Sequence, residues 1–363
     1  MNNYTLIRSG NHPIYLCDIN SYFFEAFFKN SSKEYSKIFI LTDENTNLHC
    51  LPLFLEITKI DVKPIVIQIE SGEKNKTIET VIQLWKKLID SRADRNSLLV
   101  TLGGGVICDL GGFVAATYMR GISFIHFPTT LVAMVDASIG GKVGANIRNL
   151  KNQVGLIAQP LAVFILQDFL KTLPQNQLLS GFSEMVKHAL IHNKVSWEKM
   201  NKVIVNEIVD WKELINDSVK IKVKIVNADP YEHSYRKILN FGHTIGHAFE
   251  TLAMKNTQNQ LLHGEAVAMG MLCEIWLSTK LAGLNTNEMN EINNFILSQF
   301  QYYVLPENSE NEILEILSHD KKNIFGEFNF TLLSAIGKPV INQKCSVDLI
   351  RESLNYYRNL KHN

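Results

Sequence analysis

The sequence predicts an α/β fold, with an N-terminal Rossmann-like doubly wound sheet followed by a mainly α-helical C-terminal domain. Three observations carry this. Short β-branched runs alternate with helical patterns through the first half of the chain. Strand signals nearly vanish after LPQNQ (residues 173–177). At 363 residues, the chain also exceeds the length at which one hydrophobic core usually stops growing. We therefore expect two domains, residues 1–172 binding a nucleotide cofactor and residues 173–363 mainly helical.

The elements follow in order. KIFILTD (37–43) and PIVIQI (64–69) read as buried parallel strands. Ile78, Val81, Ile82, Trp85, Leu88 and Ile89 then recur at helical spacing, which makes an amphipathic crossover to SLLVTLGGG (97–105). The apolar stretch 98–119 is interrupted by Asp109 and five glycines, which suits a buried strand, turn and helix rather than a membrane span. SFIHFP (123–128) continues the alternation. Beyond residue 177, helical patterns run through Gly246, over 264–281 and over 290–299, and EFNFTLLSAIG (327–337) alternates like a hairpin or edge strand.

Composition excludes several classes. Lys plus Arg and Asp plus Glu both total 36, so no global field draws in nucleic acid or an anionic membrane. The five cysteines are far apart and odd in number, which fits a reducing cytoplasm. The N-terminus MNNYTLIRSGNHP has no basic segment leading into an apolar one, so we expect no secretory signal.

Gly103, Gly104 and Gly105 follow a strand and precede a helix. Glycine there lets backbone N–H groups approach a pyrophosphate, and the helix N-terminus favours its charge. The same glycines would also serve a plain tight turn, and the spacing is not GxGxxG. No ribose-binding acid follows at the usual distance of roughly 20 residues. Asp43 at a strand end, and Glu73 with Lys76 in SGEKNK, are better placed, although each alone reads as a solvated charge.

His243 and His247 stand four apart in NFGHTIGH and so share a helix face, and His263 follows in LLHGEAVAMGM. Three such donors with an open position suit a catalytic zinc. GFSEMVKH places Glu184 and Lys187 on one helical face, where an isolated pair would be ordinary decoration. Lys142 and Lys151 lie in VDASIGGKVGANIRNLKNQVG, Arg120 ends the helix after the glycine turn, and Lys222, Arg236 and Asn240 precede the histidine pair. Any of them could serve an anionic substrate or merely solvate a surface.

Together these residues resemble the 3-dehydroquinate synthase family of sugar phosphate cyclases. GGGVICDLGGFVAATYMRG, PTTLVAMVDASIGGKVGANIRNLKNQVG, GFSEMVKHALI, RKILNFGHTIGHAFE, LHGEAVAMGM and DKK occur in the family's order over nearly the whole chain. The resemblance implies a cytoplasmic, homodimeric lyase of the shikimate pathway, on the route to aromatic amino acids. It implies NAD and zinc, with cobalt as an alternative metal. The expected reaction converts 3-deoxy-D-arabino-heptulosonate 7-phosphate to 3-dehydroquinate and phosphate. Its steps are transient oxidation by NAD, phosphate elimination, re-reduction, ring opening and intramolecular aldol closure.

Residue by residue, the resemblance assigns zinc to Glu184, His243 and His263, which removes His247 from the ligand set and turns it toward substrate with Asn240. It assigns NAD to Asp43, Glu73, Lys76, Gly104, Gly105, Val106, Asp109, Thr129, Thr130, Lys142, Lys151, Phe169 and Thr172. Catalytic roles fall on Asp136, Lys142, Lys187, Asn240 and His247. Substrate phosphate and carboxylate fall to Arg120, supplied by a partner subunit, and to Asn152, Lys222, Arg236, Lys321 and Lys322.

Four features depart from the family pattern. Cys108 replaces a common glycine, Val143 a usual threonine and Met134 a frequent glutamine, and the gap between His243 and His263 is longer around residues 255–260. We expect a surface insertion there. Three alternatives remain: a cyclase for glucose 6-phosphate or sedoheptulose 7-phosphate, a metal-dependent polyol dehydrogenase, and an inactive NAD-binding scaffold. The first lacks the substrate carboxylate that Lys222, Arg236 and Asn240 would serve, the second would accumulate NADH with glycerol, and the third has no reason to keep every ligand.

Overall fold

Strands β1 (Tyr4–Ser9) and β2 (His12–Cys17) form an antiparallel pair that precedes the first strand expected from the sequence, KIFILTD at 37–43. The computed structural model describes residues 4–19, 22–31, 33–147, 150–208, 210–255, 261–318 and 328–360. Helix α1 (Tyr22–Ser31), β3 (Ile38–Asp43), α2 (Glu44–His49), α3 (Leu51–Thr58), β4 (Ile65–Ile69), α4 (Ile78–Asp90), β5 (Leu98–Gly103), α5 (Gly105–Thr117) and β6 (Ser123–Pro128) follow. Next come a hairpin of β7 (Lys142–Ile147) with β8 (Leu150–Ile157), and then β9 (Val163–Leu166).

Seven strands make one sheet in the order β1-β2-β9-β6-β5-β3-β4, parallel except for β1. Helices cover both of its faces. Because strand side chains alternate, Phe124 and Phe127 on β6 point to opposite sides. Phe127 meets Phe54 of α3 with ring centroids 4.9 Å apart, within an aromatic cluster that includes Phe24, Phe28 and Phe164. Phe124 lies in the other core, where Val81, Leu84 and Leu88 of α4 and Ile107, Leu110 and Val114 of α5 pack with Phe39, Leu41 and Leu99. Burial on both sides explains why β3 and β5 read as continuous apolar runs. The doubly wound expectation is met, and residues 98–119 form the buried strand, turn and helix read from the sequence.

The strand order reverses at β3, since β4 lies on one side of it and β5 on the other. Ligands of open α/β sheets bind beyond the carboxyl ends of strands at such a switch point. Asp43 ends β3 and Gly103 ends β5.

After α6 (Gln175–His192) and α7 (Lys194–Met200) comes α8 (Lys212–Ala228), then α9 (His243–Met254), α10 (His263–Leu281), α11 (Thr286–Gln299), α12 (Glu310–Ser318), the hairpin β10 (Phe328–Ala335) with β11 (Lys338–Cys345), and α13 (Val347–Asn359). The alternation near the end is thus a hairpin. Two compact units emerge: Met1–Pro174 with Trp211–Asn227, and Gln175–Asp210 with Ala228–Asn363. A single cut at residue 172 therefore misplaces Trp211–Asn227, which clusters with the α/β unit. Its amphipathic pattern says only that it is a helix, not which core its apolar face joins.

Candidate cofactor and metal sites

In the α/β unit, the expected cofactor residues follow the carboxyl ends of parallel strands. Gly104 is the N-cap of α5 and brings no side chain to that turn, so the first backbone N–H groups of a 13-residue helix are left to an outside acceptor. A Cβ added at Gly104 would lie 3.0 Å from the Thr130 methyl, so the glycine keeps this turn close against the PTT segment. Thr129 is buried and donates its N–H to Gly103 O, while Thr130 Oγ1 accepts from Ala133 N. Val106 lies in the first turn of α5, and Phe169 and Thr172 in the 3-10 turn Gln167–Thr172 after β9. These features fit a dinucleotide pyrophosphate.

Two charged groups converge beside that turn. Lys76 is nearly fully buried, and its Nζ lies 2.5 Å from Asp109 Oδ2 and 2.6 Å from Asn152 Oδ1. Desolvation raises the Asp109 carboxyl, and the Lys76 ammonium opposes that rise. Asn152 holds its backbone at φ +53°, a left-handed conformation that asparagine tolerates better than most residues. Glu73 Oε1 accepts from Asn146 Nδ2 at 2.8 Å, and Asn146 Oδ1 accepts from Asn152 N at 2.8 Å. Asn146 N in turn donates to Lys76 O. Asn146 therefore joins Glu73, Lys76 and Asn152, a junction that the sequence reading missed because its partners lie up to 73 residues away. Asp43 has a local task, since its carboxylate caps α2 by accepting from Thr46 N and Thr46 Oγ1.

Of the remaining expected residues in this unit, Lys222 on α8 donates to Asp136 Oδ1 at 2.6 Å. Lys142 opens β7, Lys151 lies in β8, and Arg120 ends the 3-10 turn after α5 at φ +70°. Lys321 and Lys322 lie outside the described residues, as does the expected insertion at 256–260.

In the helical unit, α6 contributes Glu184 and Lys187, both fully buried and ion-paired one turn apart. Helix α9 contributes His243 and His247, with ring centroids 5.3 Å apart, and α10 begins at His263. Glu184 Oε1 lies 3.5 Å from His243 Nε2 and 3.5 Å from His263 Nε2. A tetrahedral site with zinc bonds of ~2.1 Å separates its donors by roughly 3.4 Å. The spacing thus suits a small divalent cation.

The outer contacts fix which nitrogen faces that point. His243 Nδ1 lies 3.1 Å from Phe241 O, and His263 Nδ1 lies 3.3 Å from Glu250 Oε2. An N–H donated to each oxygen from Nδ1 leaves both Nε2 lone pairs toward Glu184, as metal-binding histidines require. Desolvation, assisted by the Lys187 charge, lowers His243 well below the usual imidazole range. Desolvation would lower His263 also, but the Glu250 and Glu184 carboxylates raise it to about 10, so the metal-free ring holds a proton on each nitrogen and a metal must displace the one on Nε2 to take that lone pair. The donor atoms of His243, His247 and His263 also lie within 4.8 Å of one another, so geometry permits a three-histidine set as well. Elsewhere in this unit, Asn240 donates to Glu232 Oε1, and buried Arg236 donates to Pro230 O. The carboxylates of Glu250 and Glu274 around this cluster were not singled out from sequence. A glutamate on a helix shows its role only through what it touches.

Comparison with known proteins decides the family. Residues 66–180 match the 3-dehydroquinate synthase N-terminal model and residues 181–323 the C-terminal one. The chain is 43% identical over 336 residues to a 3-dehydroquinate synthase of Parabacteroides distasonis, covering 90% of this chain and 93% of the relative. The chain belongs to the 3-dehydroquinate synthase family. A second member, from Listeria monocytogenes serotype 4b, is 37% identical over 353 residues, covering 95% of this chain and 94% of that relative. Membership makes the chain an enzyme of the shikimate pathway, a carbocycle-forming, phosphate-eliminating lyase that acts on a small sugar phosphate.

Among solved structures, 2-deoxy-scyllo-inosose synthase complexed with carbaglucose-6-phosphate, NAD+ and Co2+ is 25% identical, with a TM-score of 0.84, covering 97% of this chain and 99% of that one. A probable glycerol dehydrogenase from Sinorhizobium meliloti shares the fold at a TM-score of 0.60 and 15% identity, covering 94% of this chain and 95% of that one. No helix among the described residues is long and apolar enough to cross a membrane.

Proposed function

We propose that the α/β unit holds NAD and that the helical unit holds zinc or cobalt in the family's reaction. The reaction forms 3-dehydroquinate from 3-deoxy-D-arabino-heptulosonate 7-phosphate by transient oxidation, phosphate elimination, re-reduction, ring opening and aldol closure. The single observation that carries the metal assignment is the equal 3.5 Å approach of Glu184 Oε1 to the two Nε2 atoms. When bound, the metal supplies a Lewis acid and NAD a hydride acceptor that each turnover regenerates. The solved inosose synthase with NAD+ and Co2+ supports the pairing.

The chain's own groups then position substrate. Asn240 and His247 are assigned to the phosphate, with Arg120, Lys142, Asn152, Lys321 and Lys322. Lys222 and Arg236 are assigned to the carboxylate, and Asp136 and Lys187 to the ring hydroxyls. The Lys222–Asp136 pair supports two of these assignments, because it brings a candidate carboxylate binder and a candidate hydroxyl binder to 2.6 Å. On the NAD side, Lys76 and Asp109 set local charge, and Gly104 and Gly105 present backbone donors. Val106, Thr129, Thr130, Lys151, Phe169 and Thr172 complete the cradle, with Glu73 and Asp43 beside it. A cytoplasmic homodimer, with Arg120 reaching a partner's site, is part of the same reading, and light scattering would test the dimer.

The experiment is phosphate release from the carboxylated heptulosonate phosphate by purified protein. The reading predicts release that needs a divalent metal and only catalytic NAD. Glucose 6-phosphate turnover in its place would favour the related cyclase. Net NADH accumulation with glycerol would favour the dehydrogenase chemistry of the more distant structural neighbours.

A further inference from the structure

Helix α9 starts in an unusual way. Its N-cap is Gly242, at φ +79°, with no side-chain cap of its own. The first N–H groups of a helix need acceptors, and buried ones are costly without them. Here the acceptor comes from a neighbouring helix of the same unit. Glu274, fully buried on α10, takes Gly242 N on Oε2 at 2.6 Å and Ile245 N on Oε1 at 3.1 Å.

These two bonds bracket His243. Phe241 O, which meets His243 Nδ1, belongs to the residue just before Gly242. The glutamate therefore fixes the backbone turn that both carries His243 and supplies the oxygen setting its tautomer. The helices also approach closely at this joint. A Cβ added at Gly270, one turn before Glu274, would lie 2.2 Å from Gly242 O, and one at Gly246 would lie 3.0 Å from Ala266 O. At the other end of α10 stands His263. One helix thus supplies a candidate ligand, the space for α9 and the acceptor that sets its first turn.

We propose that Glu274 is a positioning residue for the metal centre, setting the placement and tautomer of His243 through the first turn of α9. The proposal rests on His243 being a ligand. A purely scaffolding glutamate would lower stability without selective loss of metal, whereas a positioning one changes metal affinity in protein that still folds.

Glu274→Gln keeps the volume and replaces one acceptor oxygen with an amide donor, leaving one N–H facing another. Zinc dissociation constants are measured by competition with a chromophoric chelator, alongside the visible spectrum of the Co(II)-loaded protein and the melting midpoint of the metal-free protein. The expected result is zinc binding weakened about tenfold or more, the usual range for outer-shell partners of a metal site, with an altered Co(II) band and unchanged NAD affinity. Where Glu274→Gln does not fold, Glu274→Asp, which withdraws the oxygens by one methylene, is expected to show the same selective loss to a smaller degree. Wild-type zinc affinity and Co(II) spectrum in either folded variant overturn the proposal, whatever the melting midpoint does. His243→Ala run in parallel separates the two layers. Unchanged zinc affinity in His243→Ala sinks the ligand assignment itself, whereas lost zinc there with intact zinc in the Glu274 variants sinks only the role of Glu274.

Discussion

The glycine turn of the α/β unit and the histidine cluster of the helical unit build their sites by opposite means. The first presents backbone, in strand ends and an uncapped helix, with side chains such as Thr130 packed against the turn. The second presents side chains, each donor held by another group: Glu184 by Lys187, His243 by Phe241 O and His263 by Glu250. A backbone site tolerates many side-chain changes and fails when something fills its space. A side-chain site fails one ligand at a time.

That contrast gives a ranked set of expectations. The largest effect belongs to the cluster. Glu184→Ala or His263→Ala should abolish stoichiometric metal binding and cut turnover roughly a thousandfold or more, since Lewis-acid stabilisation is worth several kcal/mol. Metal content by mass spectrometry and phosphate release check this together. Either variant keeping both would break the comparison.

Next comes Glu250→Gln, which leaves every proposed ligand in place. Removal of the carboxylate behind His263 Nδ1 should weaken metal binding about 10- to 100-fold, read by chelator competition, with NAD binding unaffected. The glycine turn should respond in the reverse sense. Gly104→Val would drive branched carbons toward Thr130 and should weaken NAD binding about tenfold or more, about 1.4 kcal/mol, while metal affinity stays at its starting value. Isothermal titration of each variant with each ligand would show whether the losses separate.

Much of this was legible in the sequence, and the limits are physical. The parallel strands were readable because burial on both faces leaves near-continuous apolar runs in β3 and β5. The pair β1 and β2 escaped because TLIRS and HPIYLC mix polar and apolar residues without strict alternation at the edge of the sheet. His243 and His247 share a face because helix geometry ties i to i+4. Asn146, Glu250 and Glu274 could not be read, because asparagine and glutamate carry no positional signal until the fold brings Glu73, His263 or Gly242 to them. The placement of α8 was hidden for a similar reason.

The smallest expected effect on metal and NAD binding, none at all, belongs to a buried histidine outside either site, whose change is read in stability. Burial lowers His126 on β6 to about 3 from 6.5, and its Nδ1 lies 2.6 Å from Thr101 Oγ1. Between those values the unfolded chain binds a proton that the folded chain does not, so stability falls as pH drops from 6.5 toward 3. His126→Asn, which keeps a polar partner for Thr101 without titrating, should make the urea midpoint less steep over that window. The change amounts to at most one proton, about 1.4 kcal/mol per pH unit. An unchanged slope would show that His126 is not buried neutral.

The central claim is that Glu184, His243 and His263 hold the metal and that His247 is left for substrate. Its most direct measurement is the metal stoichiometry and Co(II) visible spectrum of His247→Asn beside His243→Ala. The account predicts one bound metal and a wild-type spectrum in His247→Asn despite a large loss of turnover, and no bound metal in His243→Ala. Loss of the metal in His247→Asn would contradict it and favour the three-histidine set.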